Sequence, residues 1–187
     1  MLNNIKPKTG RLLISEPFMA DPNFKRSVVL LTEHGDEGTV GYILNQVGNL
    51  ILNDVIHDLW NAQNYIYFGG PVAADTLHFI HRSYDKLQSG EDIGNGLYWG
   101  GNFETLKILI NTNAINADEI KFFMGYSGWD KGQLDREIEQ NAWMVSDKFN
   151  PDLIFSNDDE KLWRDVIVNL GPKYAHISNF PADPSLN

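Results

Sequence analysis

Short apolar runs rich in β-branched and aromatic residues follow one another along this chain, and their order restricts the fold more than anything else in it. The runs are Leu12 to Ile14, Val28 to Thr32, Val40 to Leu44, Ile66 to Phe68, Leu77 to His81, Leu97 to Trp99, Ile120 to Tyr126, Trp143 to Val145 and Leu153 to Phe155. They have the composition of strands, and turn formers such as Gly38, Gly69-Gly70-Pro71 and Asn150-Pro151 separate several of them. A doubly wound fold requires a helix between successive strands, whereas here the strands come in groups. The expectation is an α+β fold with a mixed, largely antiparallel sheet.

Four stretches carry helical periodicity. Leu52, Val55, Ile56, Leu59 and Trp60 form one apolar stripe; Phe103, Leu106, Leu109 and Ile110 form a second, opening at Asn102. A third follows Asp130, with Leu134, Ile138 and Ala142 four residues apart. The last places Leu162, Trp163, Val166, Ile167 and Leu170 on one face before Gly171-Pro172 stops it. Asp130 with Gln133, and Asn157 with Glu160, have the spacing of a capping box. At 187 residues, with neither an internal repeat nor a convincing linker, residues 1–187 read as one domain.

Composition removes several functions. The chain lacks cysteine, which excludes a disulfide framework, a thiolate nucleophile and cysteine-ligated metal centres. No apolar segment approaches a bilayer span, and the N-terminus has no signal-peptide character, so a soluble, cytoplasmic protein is expected. A net charge of −10 repels nucleic acid and anionic lipid. The single basic concentration is Lys6, Lys8, Arg11, Lys25 and Arg26, and no zinc finger, basic helix or ribonucleoprotein motif accompanies it. Neither nucleic acid nor a membrane is therefore expected as a partner.

Chemistry-bearing residues are sparse. Gly125-Tyr126-Ser127-Gly128-Trp129 lies between an expected strand and an expected helix, the setting of a hydrolase nucleophile elbow, but Trp129 occupies the position of the second glycine. A turn relying on Gly125 and Gly128 is the plainer reading. His78 and His81, three apart on a strand, point to opposite faces and do not chelate one ion. His57 reads as a surface residue of its helix. His34 opens the loop through Gly38 and is the histidine of most interest. Asp36-Glu37 and Asp158-Asp159-Glu160 suit a helix start or a solvated loop better than a metal. Gly69-Gly70-Pro71-Val72 and Gly100-Gly101 suggest anion cradles without matching a phosphate-binding fingerprint. Neither a metal nor a cofactor is expected.

Three blocks together resemble the YqgE/AlgH family of bacterial proteins. The first is Gly10 through Pro17, continued by Asp21, Phe24, Ser27-Val28-Val29, His34, Gly38, Gly41 and Ile43-Leu44-Asn45. The second is Phe68-Gly69-Gly70-Pro71-Val72. The third is Gly125 through Trp129, then Gly132-Gln133-Leu134, Glu137-Ile138 and Trp143, with Leu162-Trp163 and Pro184 through Asn187 fitting the family's tail. The resemblance implies one domain whose mixed sheet is partly barrel-like and flanked by about four helices. It brings no agreed activity. Some members carry the label of transcriptional regulator, and the residue usual in place of Ser127 is small and non-nucleophilic.

The leading expectation is a non-enzymatic regulatory or binding protein that meets an unidentified protein or small-molecule partner. Its surface would be built from His34, Gly38, Asn45, Gly69, Gly70, Pro71, Tyr126, Ser127, Trp129, Gln133 and Glu137. The alternatives are a hydrolase using Ser127 with His34 as base, and a DNA-associated regulator acting through the N-terminal basic segment.

Overall fold

The computed structural model describes residues 5–60, 62–156 and 159–180. Ten strands are β1 (Leu12–Ser15), β2 (Val28–Gly35), β3 (Gly38–Ile43), β4 (Val47–Ile51), β5 (Tyr65–Phe68), β6 (Val72–His81), β7 (Glu91–Gly94), β8 (Leu97–Trp99), β9 (Ile120–Asp130) and β10 (Trp143–Ser146). The helices are α1 (Leu52–Val55), α2 (Tyr84–Leu87), α3 (Phe103–Asn111), α4 (Gln133–Glu139), α5 (Asp159–Asn169) and α6 (Pro172–Ala175). The sheet runs β10-β1-β2-β3-β9-β6-β8-β7, with β4 and β5 attached beside it. Every pairing is antiparallel except β5 with β9, so the sheet is mixed and largely antiparallel. Its path ends at β10 and β7, and the sheet stays open instead of closing into a barrel.

Strand alternation assigns each face to a different helix layer. Leu12, Ile14, Val28 and Leu30 pack with Leu162, Trp163, Val166 and Ile167 of α5. Their neighbours Leu13, Val29 and Leu31 turn to the other face and meet Leu134 and Ile138 of α4. Farther along that face Ile66, Phe79 and Phe122 pack against Leu106 and Ile110 of α3. Both faces are covered, which is why β1 and the first half of β2 are buried at every position and apolar at all of them but Ser15.

β9 organises the molecule. One of its edges pairs with β6 from Ile120 to Tyr126; the other is shared, pairing with β5 at Phe122 to Met124 and with β3 at Ser127 to Asp130. The exchange of partners falls at Gly125, and the Gly69-Gly70 turn is pressed into the junction. A Cβ on Gly69 would stand 2.3 Å from the Gly125 carbonyl oxygen, and one on Gly70 would stand 2.3 Å from the Tyr126 carbonyl. Gly125 itself has φ +68. Backbone meets backbone at this crossing, so only glycine fits.

Several expectations change. Leu153 to Phe155 is not a strand: Asn150 caps the amide of Asp152 and Pro151 opens a 3-10 turn, Pro151–Phe155, that drops Ile154 and Phe155 onto the α5 core. β4 and β7 went unrecognised because Gly48, Asn49, Glu91 and Asp92 give them no apolar run. α1 stops after one turn, which leaves His57 in the loop beyond it and Trp60 78% exposed instead of inward. Residues 125–130 are strand, not a strand-to-helix loop, and α4 begins after Gly132 in a left-handed conformation, φ 68. The Gln133 side chain does accept from the Asp130 amide at 3.0 Å, half of the expected capping box. Asn157, the other expected cap, and the tail from Pro184 lie outside the described residues.

Candidate functional site

The β2–β3 hairpin closes through Asp36 and Glu37, with Gly35 opposite Gly38 and His34 opposite Thr39. Gly38 lets the hairpin lie against the end of β9, since a Cβ there would come within 2.6 Å of the Trp129 carbonyl oxygen. Two shallow depressions flank the hairpin, and Thr39 borders both. One, of about 310 Å³, is walled by Glu33, Glu37, Asp130, Val72, Tyr126 and Trp129. The other, of about 290 Å³, is walled by His34, Asp36, Lys131 and Asp135. His34 Nδ1 and the Thr39 hydroxyl share a hydrogen bond of 2.7 Å across the ladder. Glu33, Glu37 and Asp130 are exposed, and among the described residues no cation pairs with them. Three expected segments thus converge here: the hairpin, the turn ending at Val72, and the stretch from Tyr126.

Behind this surface Glu137 is fully committed to the interior. Its carboxylate accepts from Trp129 Nε1 at 2.9 Å, Trp143 Nε1 at 2.8 Å and Gln133 Nε2 at 2.8 Å. Phe24 stacks on Trp129 and meets Trp143 edge-on, with centroids 5.9 and 5.4 Å away. Gln133 and Glu137 therefore fasten α4 to β9 and β10.

The remaining expected site residues are elsewhere or internally satisfied. Asn45 lies past the far end of β3, where Oδ1 accepts from the Val28 amide and Nδ2 donates to the Arg26 carbonyl, both at 2.9 Å. Ser127 is fully buried and its hydroxyl donates to the Gly69 carbonyl at 3.0 Å. Gly69 and Gly70 are buried at the β9 junction; Pro71 is exposed beside it. Ser127 and His34 are each bonded to other partners, so the structure assembles no nucleophile–base pair from them. Arg26, offered as a DNA contact, lies over the Trp163 ring at 4.7 Å and donates to the Phe180 carbonyl. Gly100 and Gly101 enclose no anion site: the Asn102 amide is taken by the Ser89 hydroxyl, and the Asn102 side chain caps α3 through the Thr105 amide. His78 and His81 do face opposite ways, His81 fully buried and His78 bonded to Thr76. Among the described residues no three His, Asp or Glu side chains gather to hold a metal.

Sequence reasoning passed over Lys121. It sits inside the apolar run Ile120 to Tyr126, and a lysine there was the available signal. Its side chain is 4% exposed. Nζ rests 3.7 Å from the centroid of the Tyr67 ring, 3.5 Å from the Ser156 carbonyl and 3.9 Å from the Asp159 carboxylate. Burial pushes its pKa down to about 8 although Asp159 opposes the shift. The Tyr67 hydroxyl donates to Asp159 at 3.2 Å, and burial together with that carboxylate holds it protonated well above the usual phenol range. A cavity of about 160 Å³ adjoins the group, lined by Gln63, Asn64, Tyr67, Lys121 and Phe155.

The family model described as AlgH-like matches residues 12–175. The chain belongs to the AlgH-like family. It is 42% identical over 180 residues to a UPF0301 protein of Cytophaga hutchinsonii, covering 95% of this chain and 98% of that one. A UPF0301 protein of Bacteroides fragilis is also 42% identical, over 188 residues, covering 99% and 94% of the two chains. Among solved structures, AlgH of Pseudomonas aeruginosa superposes with a TM-score of 0.73 at 28% identity, covering 96% of this chain and 98% of that one. A crystal structure from Corynebacterium diphtheriae, at 22% identity and TM-score 0.79 over 95% of each chain, shares the fold.

The segments that carried the AlgH-like resemblance now have structural roles. A Cβ on Gly10 would strike the Ile93 carbonyl oxygen at 2.0 Å, so Gly10 seats β7 against the start of β1. Phe24, Trp129, Glu137 and Trp143 form one packed group, and Gly69, Gly70, Gly125 and Ser127 form the strand crossing. Of the three blocks, the hairpin residues, Val72, Tyr126 and Trp129 border the depression beside the hairpin.

Proposed function

We propose that this AlgH-like protein is a non-enzymatic binding protein, regulatory through occupancy, whose acidic depression beside the β2–β3 hairpin receives a basic segment of a partner protein. The observation that carries the reading is the set of three carboxylates, Glu33, Glu37 and Asp130, standing around Tyr126 without a cation partner among the described residues. Magnitudes favour a multivalent partner over a single amine. An exposed ion pair contributes about 0.2–1 kcal/mol and a cation over an exposed ring about 0.5–1 kcal/mol. Three pairs and one ring contact therefore total roughly 1–4 kcal/mol, no tighter than millimolar for one small cation. A chain bearing several Lys or Arg side chains engages all of them at one entropic cost and is steered in by the net charge of −10. Such a partner belongs to a cytoplasmic setting.

Amide chemical-shift mapping with a short oligo-arginine peptide tests this. Shifts should concentrate at residues 33–39 and 126–130, weaken as salt is raised, and fall at least about tenfold in affinity when Glu33→Gln, Glu37→Gln and Asp130→Asn are combined. Affinity unchanged in that variant, or shifts confined to other surfaces, defeats the reading.

A further inference from the structure

At the opposite end of β9 from the acidic depression, Lys121 has the surroundings of a chemically active amine. A lysine is ordinarily kept in water by its charge; here the ammonium has been drawn into the protein, where it rests on a tyrosine ring, faces a carbonyl and a carboxylate, and borders a cavity. We propose that Lys121 condenses reversibly with a small aldehyde or ketone entering the cavity lined by Gln63, Asn64, Tyr67 and Phe155, and that the Schiff base is held as its cation between the Tyr67 ring and Asp159.

Electrostatics selects this product from the others open to an amine. Burial disfavours positive charge here, and the Tyr67 face, the Ser156 carbonyl and the Asp159 carboxylate offset part of that cost, whereas nothing in the group offsets a second anion. An amide formed by acyl transfer would be neutral and would deprive the Asp159 carboxylate of its neighbouring cation. A carbamate formed with carbon dioxide would set a second anion beside that carboxylate. An iminium preserves the positive charge where the ammonium had it. Size narrows the partner further: about 160 Å³ equals the liquid share of about five water molecules, room for a carbonyl compound of a few heavy atoms. Gln63 and Asn64, at the wall, offer amides to a polar substituent.

The step balances without a redox partner. The lone pair of the neutral amine adds to the carbonyl carbon, the π pair moves to oxygen, and oxygen takes a proton. The proton on oxygen comes from solvent; nitrogen passes one of its own to Asp159, the near acceptor, which returns it to the hydroxyl as that leaves as water and the C=N bond forms, so the iminium keeps the charge of the single proton drawn from solvent. The amine needs to be neutral for this. With its pKa lowered to about 8, roughly half of Lys121 is neutral near that pH, against well under one part in a hundred of an ordinary lysine, an advantage of about 100-fold.

Trapping with propanal and sodium cyanoborohydride near pH 8, followed by peptide mapping, decides the matter. A propyl group should accumulate on Lys121 well ahead of the exposed Lys25, Lys131 and Lys148, with a rate that levels off above pH 8. Lys121→Arg, which keeps the charge, should lose that product alone. Propyl groups on the exposed lysines with Lys121 unmodified, or a Lys121 rate still climbing beyond pH 10 as for an ordinary lysine, overturns the proposal. The map of the unaltered protein is decisive even if the arginine variant fails to fold. The variant combining Glu33→Gln, Glu37→Gln and Asp130→Asn should still trap propanal, which separates this proposal from the fate of the acidic depression.

Discussion

Glu137 gathers three side-chain donors on one carboxylate. Two of its three donors are the indoles of Trp129 and Trp143, 5% and 2% exposed, which have no water to turn to. Leaving a buried donor without an acceptor costs about 1–3 kcal/mol each. Glu137→Ala is therefore expected to destabilise the fold by about 2–4 kcal/mol in urea denaturation, with a change in native tryptophan fluorescence. Glu137→Gln, which retains an acceptor oxygen, should cost about 1 kcal/mol less per indole still served. Equal stability of the alanine variant and the parent would show that the indoles find other acceptors. The sequence flagged Glu137, Gln133 and Trp129 as polar or exposed-type residues near a turn, and in that it was half informative. What it did not hold was the long-range event: Trp143, six residues beyond Glu137 on another strand, and Phe24, from the far end of the chain, turn the group inward. Ser127 is the same case, because only the docking of Gly69 tells that its hydroxyl is spent.

Elements were legible where a local period or cap fixes them. Asn102 caps α3, the α5 stripe is buried as spaced, and β1, β2 and β10 fall on their apolar runs. Illegible elements depend on neighbours: β4 and β7, whose apolar residues are interrupted by Gly48, Asn49, Glu91 and Asp92, are strands because β5 and β8 supply hydrogen bonds, and Leu153 to Phe155 is apolar for burial, not for extension. The tie between α2 and the start of β9 is of this kind, and it makes a pH prediction. Burial alone would raise the Glu119 pKa, but Lys86 at 2.7 Å, the Ser83 hydroxyl and the Asn116 amide together bring it from 4.5 to about 2. A carboxylate lowered by folding adds stability above its unfolded pKa and loses it as pH falls through the folded value. Stability should thus decline between pH 4.5 and about 2, by roughly 2 kcal/mol after allowance for partial exposure, and Glu119→Gln should flatten that part of the curve. Thermal unfolding of both proteins across that window checks it; parallel curves would refute the assignment.

At the scale of the molecule, β9 joins two sites of opposite character: three carboxylates without a cation partner among the described residues border its last residues, and a buried amine lies one residue from its start. Neither was readable as a site from spacing, because the first is assembled from β2, β3, β6 and β9 and the second from β5, β9, α5 and Ser156 just past the 3-10 turn, which only the sheet order brings to one strand. Lys121 in particular is held in the interior by the fold as a whole, so its titration reports on global stability. The folded pKa of about 8 lies below the ordinary 10.5, so between those values the unfolded chain binds more protons than the folded one. Stability must then rise with pH across that interval, the reverse of what loss of an ordinary ion pair would give. Other lysines and tyrosines also titrate there, so the informative quantity is the urea unfolding free energy of the parent minus that of Lys121→Met. From pH 8 to 10.5 this difference should move in the parent's favour by on the order of 3 kcal/mol, as the charge that the interior disfavours is removed. A difference that stays constant across the interval would mean that Tyr67, Ser156 and Asp159 accommodate the ammonium as well as water does, and the amine would then have no neutral population to offer to a carbonyl at neutral pH.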